Sequence, residues 1–382
     1  MVADEVAEGL AAEYVEPRAD VFDPFCGTSR TLLAAGAHGA NCYGTDVNPL
    51  AVLVSRAKLS EPDVSALSRL AHVSPEKLPS TPYPRFEGRR TADYFSKGAR
   101  AQLSALIYAI NREDLDRDSL LVAAAVLSAT AREVSTCRQG SWKLHRLSAE
   151  ERSSRRVDAA RVFRRRMFRV IDDLRSQPLP AIESRIVNGS VLDLPRLRSL
   201  HGLPAQFDLV LTSPPYGDSF STVQYGGISS ICIGVVRNLR GLRLPPIHGG
   251  RIDSAGLGGS VEDPLAIDKK YWCGGVANRA FGRVGAFLAD VERSCLRIAE
   301  AVKVGGRAVF VLGRRSAGGW RLALDEFICD CMLDLGFRRE SVRKREVVHK
   351  WTPWIVNSGG RGPETRLRRT MRWEYTLTLS KA

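Results

Sequence analysis

The chain has 382 residues, 44% apolar and 26% charged, the proportions of an ordinary globular protein long enough for one large domain with an insertion or for two domains. No run approaches the roughly 18 consecutive apolar residues of a membrane span, and the acidic, amphipathic MVADEVAEGLAAEYVEP is unlike a signal peptide, so a cytoplasmic protein away from membranes is expected. Lysine and arginine outnumber aspartate and glutamate by 56 to 42, a net charge of +14 carried mostly by arginine, which favours a polyanionic partner over a merely basic surface.

Residues 20–58 read strand, turn, helix, strand, turn, helix. ADVFDPF is a short apolar strand, CGTS a tight turn, and RTLLAAGAHG a small-residue helix stopped by glycine. ANCYGTDVNP is a second strand ending in an acid, and LAVLVSRAKLS the next helix. The alternation predicts an α/β fold with a Rossmann-like, doubly wound, mostly parallel sheet. It resumes near residue 185 with SRIVNGSVLDLP as a third strand and FDLVLTSPPY as a fourth. A helix, a Gly-Gly turn and a buried strand follow in AFLADVERSCLRIAEAVKVGGRAVFVLG, then a last helix and closing strands to the end.

The expected organisation is therefore an N-terminal part over 1–60, a helical insertion over 61–182 between the second and third strands, and a C-terminal part over 183–382. The insertion opens with the proline-rich loop SPEKLPSTPYP and continues in helices at GARAQLSALIYAIN, RDSLLVAAAVLSATAREV and about 149–175. That last helix sets Ala160, Phe163, Met167, Val170, Ile171 and Leu174 on one stripe. Arg152, Arg155, Arg156, Arg161, Arg164, Arg165 and Arg169 lie mostly off it, either as a solvated face or as a phosphate-contacting one. Residues 217–275 are glycine-rich and read as a long loop. Eight cysteines show no CxxC pair and no zinc spacing, so reduced thiols and no metal site are expected.

The residues that carry chemistry sit at strand ends. Asp23, Pro24, Phe25, Cys26, Gly27 and Thr28 make a glycine turn between the first strand and its helix, where a ligand approaches backbone closely. The turn lacks G-x-G-x-x-G, and Ser29 stands where a further glycine is common. Asp46 ends the second strand, placed to accept from ribose hydroxyls or to cap the helix near Pro49; Asn48 follows it. Asp193 ends the third strand, either as an acceptor for an adenine amino group or as a surface acid. Ser213, Pro214, Pro215 and Tyr216 end the fourth strand in a stiff corner.

In combination, DPFCGTS, GTDVNPLAV and FDLVLTSPPYGDS resemble the S-adenosylmethionine-dependent amino-methyltransferases of DNA. The resemblance covers about 1–58 and 185–382. DPFCG resembles the cofactor loop of that family and the SPPY of TSPPY its catalytic tetrapeptide, with serine in the first position typical of the cytosine-N4 branch. DEVAEGLAAEYV resembles the family's cofactor-packing helix, and REVSTCRQGSWKLHRL an insert of some members. The resemblance implies a class I methyltransferase fold, S-adenosyl-L-methionine as cofactor bound through Asp23–Thr28, Asp46, Asn48 and Asp193, and catalysis at Ser213–Tyr216. It implies DNA as partner, a cognate restriction endonuclease, and no metal; monomer and homodimer stay open.

The corner residues suit that chemistry. An exocyclic amino nitrogen is a poor nucleophile because its lone pair is delocalised into the ring. The Ser213 hydroxyl and Pro214 carbonyl can accept its two hydrogens and aim the lone pair, with Tyr216 stacked on a base taken out of the helix. No Pro-Cys dipeptide is present, which argues against carbon-5 methylation. The alternatives are adenine-N6 methylation of DNA, methylation of tRNA guanine, and a non-catalytic nucleic-acid-binding protein. Sequence recognition is expected in the insertion, the 217–275 loop or the basic stretch RRESVRKREVVHKWTPW, with Arg343, Lys344, Arg345, Lys350, Trp351 and Trp354.

Overall fold

The strand signals of the two ends of the chain converge on one sheet. The computed structural model describes residues 3–73, 93–139, 144–216, 225–245, 249–257, 270–273, 279–317, 320–347, 355–358, 366–369 and 372–382. Seven strands form the central sheet: β1 (Asp20–Asp23), β2 (Asn41–Asp46), β3 (Ser184–Asn188), β4 (Phe207–Thr212), β5 (Val302–Gly313), β6 (Phe337–Glu346) and β7 (Trp373–Lys381). Their order is β3-β2-β1-β4-β5-β7-β6, and only β7 runs antiparallel to its neighbours. The order reverses between β1 and β4, so ligand-binding loops of such a sheet gather at the carboxyl ends of these strands.

Each strand alternates its apolar residues between two layers. Phe22, Val210, Ala308, Phe310 and Leu312 face one core; Val21, Leu209, Leu211, Val309 and Val311 face the other. The second face is covered by α1 (Asp4–Tyr14), α2 (Arg30–Ala37) and α3 (Pro49–Lys58), with α2 the small-residue helix expected after β1. The predicted Gly-Gly turn lies inside β5 as an excursion. Phe207 pairs with Val302 and Leu209 with Arg307, while Gly305 takes φ +76° and a Cβ on Gly306 would sit 2.8 Å from the Asp208 carbonyl.

The interruption between β2 and β3 is helical: α4 (Val64–Ala71), α5 (Lys97–Arg112), α6 (Arg117–Val134), α7 (Ala149–Ser154) and α8 (Ala159–Ser176). SPEKLPSTPYP lies outside the described residues. The single helix expected over about 149–175 is two. Ser148 and Glu151 form a capping box that starts α7, and Asp158 restarts the helix by accepting from Arg161 N. Ala159, Phe163, Met167 and Ile171 form the buried stripe of α8, while Ala160, Val170 and Leu174 flank it.

The expectation of a loop over 217–275 is corrected in part. After β3 come α9 (Leu194–His201), α10 (Tyr225–Val236), α11 (Gly249–Ala255), α12 (Arg279–Ala301) and α13 (Leu324–Asp334). Residues 272–273, 315–317 and 320–322 form a small separate sheet, and 355–358 pairs with 366–369. Helix α10 is apolar on all sides, with Ile231, Cys232, Ile233, Val235 and Val236 buried, so it carries no amphipathic period to read. It packs into the core of the insertion with Leu53 and Ala57 of α3. Within the basic stretch, residues 337–346 form the edge strand β6, and Lys350, Trp351 and Trp354 lie outside the described residues.

Candidate functional site

The turn after β1 is organised by Asp23. Its side chain is 2% exposed and takes three donors: Thr31 Oγ1 at 2.5 Å, Thr212 Oγ1 at 2.5 Å and Phe25 N at 3.0 Å. Burial, which outweighs these donors, pushes its carboxyl up to about 6. Asp23 thus faces inward and shapes the turn, a different task from the outward ligand role its motif suggests. Around it, Thr45 Oγ1 donates to the Pro24 carbonyl at 2.9 Å, Ser55 Oγ to that of Gly27 at 2.8 Å and Lys58 Nζ to that of Thr28 at 2.9 Å. Cys26 is buried, and burial raises its thiol well above the ordinary range, which makes it a packed group.

Two residues of this turn are left-handed. Gly27 takes φ +52° and Ser29 φ +57°. The latter is costly for a residue with a Cβ, and Ser29 stands where a further glycine is common. Ser29 Oγ is buried beside the Cys26 thiol and has no oxygen or nitrogen hydrogen-bond partner.

Asp46, at the end of β2, accepts from Gly27 N at 2.9 Å through Oδ2 and from Asn48 N at 2.8 Å through Oδ1. It therefore ties the turn after β1 to the turn after β2 while remaining partly exposed, and enclosure of its oxygens raises its pKa. Asn48, not Asp46, caps α3: its Oδ1 accepts from Leu50 N and its amide donates to Ser229 Oγ of α10 at 3.0 Å. That is a structural role for a residue assigned to the cofactor. Asp193 is exposed in the single turn Val191–Asp193 beyond the end of β3 at Asn188, rather than at the strand's last position.

The corner after β4 stands next to this turn. β4 pairs with β1 through Val21 and Leu209, and the Thr212–Asp23 hydrogen bond joins the two strand ends immediately before Ser213. Pro214 is buried, while Ser213, Pro215 and Tyr216 are partly exposed. Ser213 Oγ and Tyr216 Oη lie 3.0 Å apart, and the phenol reaches the Val311 carbonyl at 3.5 Å and Glu374 Oε1 at 3.4 Å.

Glu374 is the residue that sequence reading misses. It sits on β7, 3% exposed, between Gly313 of β5 and Arg345 of β6. Arg345 donates to Oε2 through Nε at 2.7 Å and also through a terminal nitrogen. A lone glutamate in WEYTLTLS gives no signal of its own; only the edge pairing with a basic strand places it beside the corner.

The basic surface divides by partner. Arg165 and Arg166 of α8 bind Glu133, Arg155 donates to the Glu133 carbonyl, and Arg343 binds Glu13 and Tyr14 of α1. Arg161, Arg164 and Arg169 are exposed along α8. Arg161 also lines a cavity of about 300 Å³ with Arg155, Arg156 and Arg165. Among the described residues no helix is long and apolar enough to cross a membrane.

The residues at the strand ends fit a ribose-bearing cofactor. A Cβ built on Gly27 would meet nothing nearer than the Phe25 carbonyl at 4.0 Å, so the turn is open there. Each Asp46 oxygen keeps a second lone pair after its backbone contact.

No family model matches the chain. Over 248 residues it is 30% identical to the type II methyltransferase M.MvaI of Kocuria varians, covering 58% of this chain and 53% of that protein. The chain thus spans about half the length of the curated relative it matches. Looser likenesses in shape are to TrmN from Thermus thermophilus, with 9% identity, 99% of this chain, 48% of that one and a TM-score of 0.35. The rRNA methyltransferase aviRa from Streptomyces viridochromogenes follows, with 12% identity, 84% and 83% covered and a TM-score of 0.30.

Proposed function

We propose that this chain is an S-adenosylmethionine-dependent DNA methyltransferase that modifies the exocyclic N4 amino group of cytosine in one short sequence, as the methylating half of a restriction–modification pair. The observation that carries this reading is the junction at Asp23. One buried carboxylate holds both the glycine turn after β1 and, through Thr212, the Ser213–Tyr216 corner after β4. The 30% identity to a type II methyltransferase supports the reaction class. The net charge of +14 supports a polyanionic substrate, and serine at the head of SPPY supports the cytosine branch.

When bound, S-adenosylmethionine supplies an electrophilic methyl group on a sulfonium. The open side of Gly27–Thr28 and the spare lone pairs of Asp46 would hold it, with Asp193 exposed nearby in sequence beyond β3. The chain's own contribution is positional. Ser213 Oγ and the Pro214 carbonyl accept the two amino hydrogens and turn the nitrogen lone pair away from the base plane. The two prolines keep these acceptors in place, so little reorganisation is needed during reaction. The partly exposed Tyr216 ring offers a face for the base, which must leave the duplex stack to reach it.

The test is expression in a host free of DNA methylation, followed by sequencing with base-modification detection. The expected result is N4-methylcytosine at one motif, lost on Ser213→Ala while the protein remains folded. Folded protein that binds the cofactor yet leaves no modified cytosine refutes the reading, and N6-methyladenine in its place moves it to the adenine branch.

A further inference from the structure

We propose that Glu374 sets the hydrogen-bond polarity of the Ser213–Tyr216 corner, so that Ser213 is presented as an acceptor and the corner selects a base carrying an amino group over one carrying a keto group. The inference deepens the methyl-transfer reading above and rests on it.

It follows from counting hydrogens. A carboxylate paired with a guanidinium only accepts, while a phenol and a serine hydroxyl each have one hydrogen to give. Glu374 is buried at 3% exposure, and its Oε2 is taken by the Arg345 fork. Its Oε1 accepts from Tyr216 Oη at 3.4 Å. The Val311 carbonyl, 3.5 Å from the same phenol, is also an acceptor. Ser213 Oγ is nearer to the phenol, but it is a neutral hydroxyl, whereas Glu374 is an ionic acceptor and makes the stronger hydrogen bond; we therefore assign the phenol hydrogen to the sheet side.

What Tyr216 Oη has left for Ser213 Oγ, 3.0 Å away, is a lone pair. Ser213 therefore gives its hydrogen to Tyr216 and keeps lone pairs for anything outside the corner. Neither Pro214 nor Pro215 has an N–H, and the Pro214 carbonyl is a further acceptor. An amino group, with two hydrogens, complements this arrangement. A keto oxygen would meet lone pair against lone pair, a mismatch that costs a buried polar group its partner. Without an ionic acceptor behind the phenol, the Ser213–Tyr216 pair could run in either direction and the discrimination would fade.

The experiment uses full-length protein carrying Tyr216→Phe, Glu374→Gln or both, with a duplex bearing the motif found by sequencing. Turnover, cofactor affinity by calorimetry and melting temperature are measured for each. A second duplex carries uracil in place of the target cytosine and serves as a competitor; because every variant sees the same pair of duplexes, differences in flipping cost cancel. Each single variant is expected to lower kcat by about tenfold, the worth of one ordinary hydrogen bond, with cofactor affinity unchanged. The double variant should be no slower than Tyr216→Phe, since Glu374 acts only through the phenol. Wild type should bind the uracil duplex about tenfold more weakly relative to Tyr216→Phe, a shift that a purely structural role would not produce.

Glu374→Gln with wild-type kcat, losses that multiply in the double variant, or unchanged uracil discrimination in Tyr216→Phe each overturn the role of Glu374 and leave the methyl-transfer reading standing. Wild-type protein that leaves cytosine in DNA unmodified overturns both.

Discussion

Thr212, the last residue of β4, donates to the Asp23 carboxylate at the end of β1 at 2.5 Å, and the residue after Thr212 is Ser213. The two candidate motifs therefore share one buried group, held also by Thr31 from α2. This sharing explains why an acid stands at the tip of β1 with its oxygens turned away from solvent.

The same burial yields a pH signature. Asp23 is pushed up from 3.8 to about 6, so the folded protein holds its proton more tightly than the unfolded chain does. The contribution of this group is most favourable below about pH 4, declines as pH rises through about 6, and is constant above that. A shift of this size corresponds to about 3 kcal/mol. Urea unfolding of wild type and Asp23→Asn near pH 4 and pH 7 should show the difference between them changing by that order, in favour of wild type at the lower pH. A difference that does not move with pH contradicts the assignment.

Ser29 combines a left-handed backbone, φ +57°, with a hydroxyl that is buried beside the Cys26 thiol. Ser29→Gly removes a left-handed penalty of about 1–2 kcal/mol and a poorly satisfied hydroxyl, against about 0.5–1 kcal/mol of added chain entropy. The variant should be more stable by about 1 kcal/mol in urea unfolding. Equal or lower stability would mean that the Cys26 contact satisfies the hydroxyl better than its geometry indicates.

The legible parts of this protein are those where one residue type has one physical use. Alternation of apolar strands with small-residue helices marks β1, α2, β2 and α3, and prolines mark where β1 and β4 stop. The insertion is legible because its helices are amphipathic. Helix α10 is not, since three glycines and a run of β-branched residues argue locally against a helix and burial of most of its surface erases its period. The partners of the basic stretch at 337–346 are illegible for the opposite reason: Arg343 pairs with Glu13 and Arg345 with Glu374, while Glu340 accepts from Arg307 of β5, contacts set by sheet pairing across distant segments. Glu374 belongs to this class, and so does Asp23, whose position in the motif is plain but whose inward direction is not.

Asp46 offers two acceptors to two backbone donors, Gly27 N and Asn48 N. In Asp46→Asn one of those donors must face an amide NH₂, leaving a hydrogen bond unmade at about 1–3 kcal/mol. The turn that would hold the cofactor loosens, and a ribose acceptor is lost. S-adenosylmethionine affinity by calorimetry should fall about tenfold or more, with faster hydrogen exchange at Gly27. Unchanged affinity removes Asp46 from the cofactor site.

The exposed arginines of α8 separate binding to nucleic acid from structural pairing. Arg161, Arg164 and Arg169 face outward, whereas Arg165, on the same helix, is tied to Glu133 of α6 at 2.6 Å. If the outward set contacts phosphates, the triple variant Arg161→Glu, Arg164→Glu, Arg169→Glu loses up to three counterion-releasing contacts. The slope of log affinity against log salt should then become shallower by about 3, and affinity near 0.1 M salt should drop about tenfold or more. Arg165→Glu serves as the contrasting variant: losing the Glu133 ion pair should lower the melting temperature with a smaller effect on the slope. Fluorescence anisotropy of a labelled duplex, titrated at four salt concentrations, measures both quantities. An unchanged slope in the triple variant would assign these arginines to a solvated face and move the DNA contact elsewhere on the molecule.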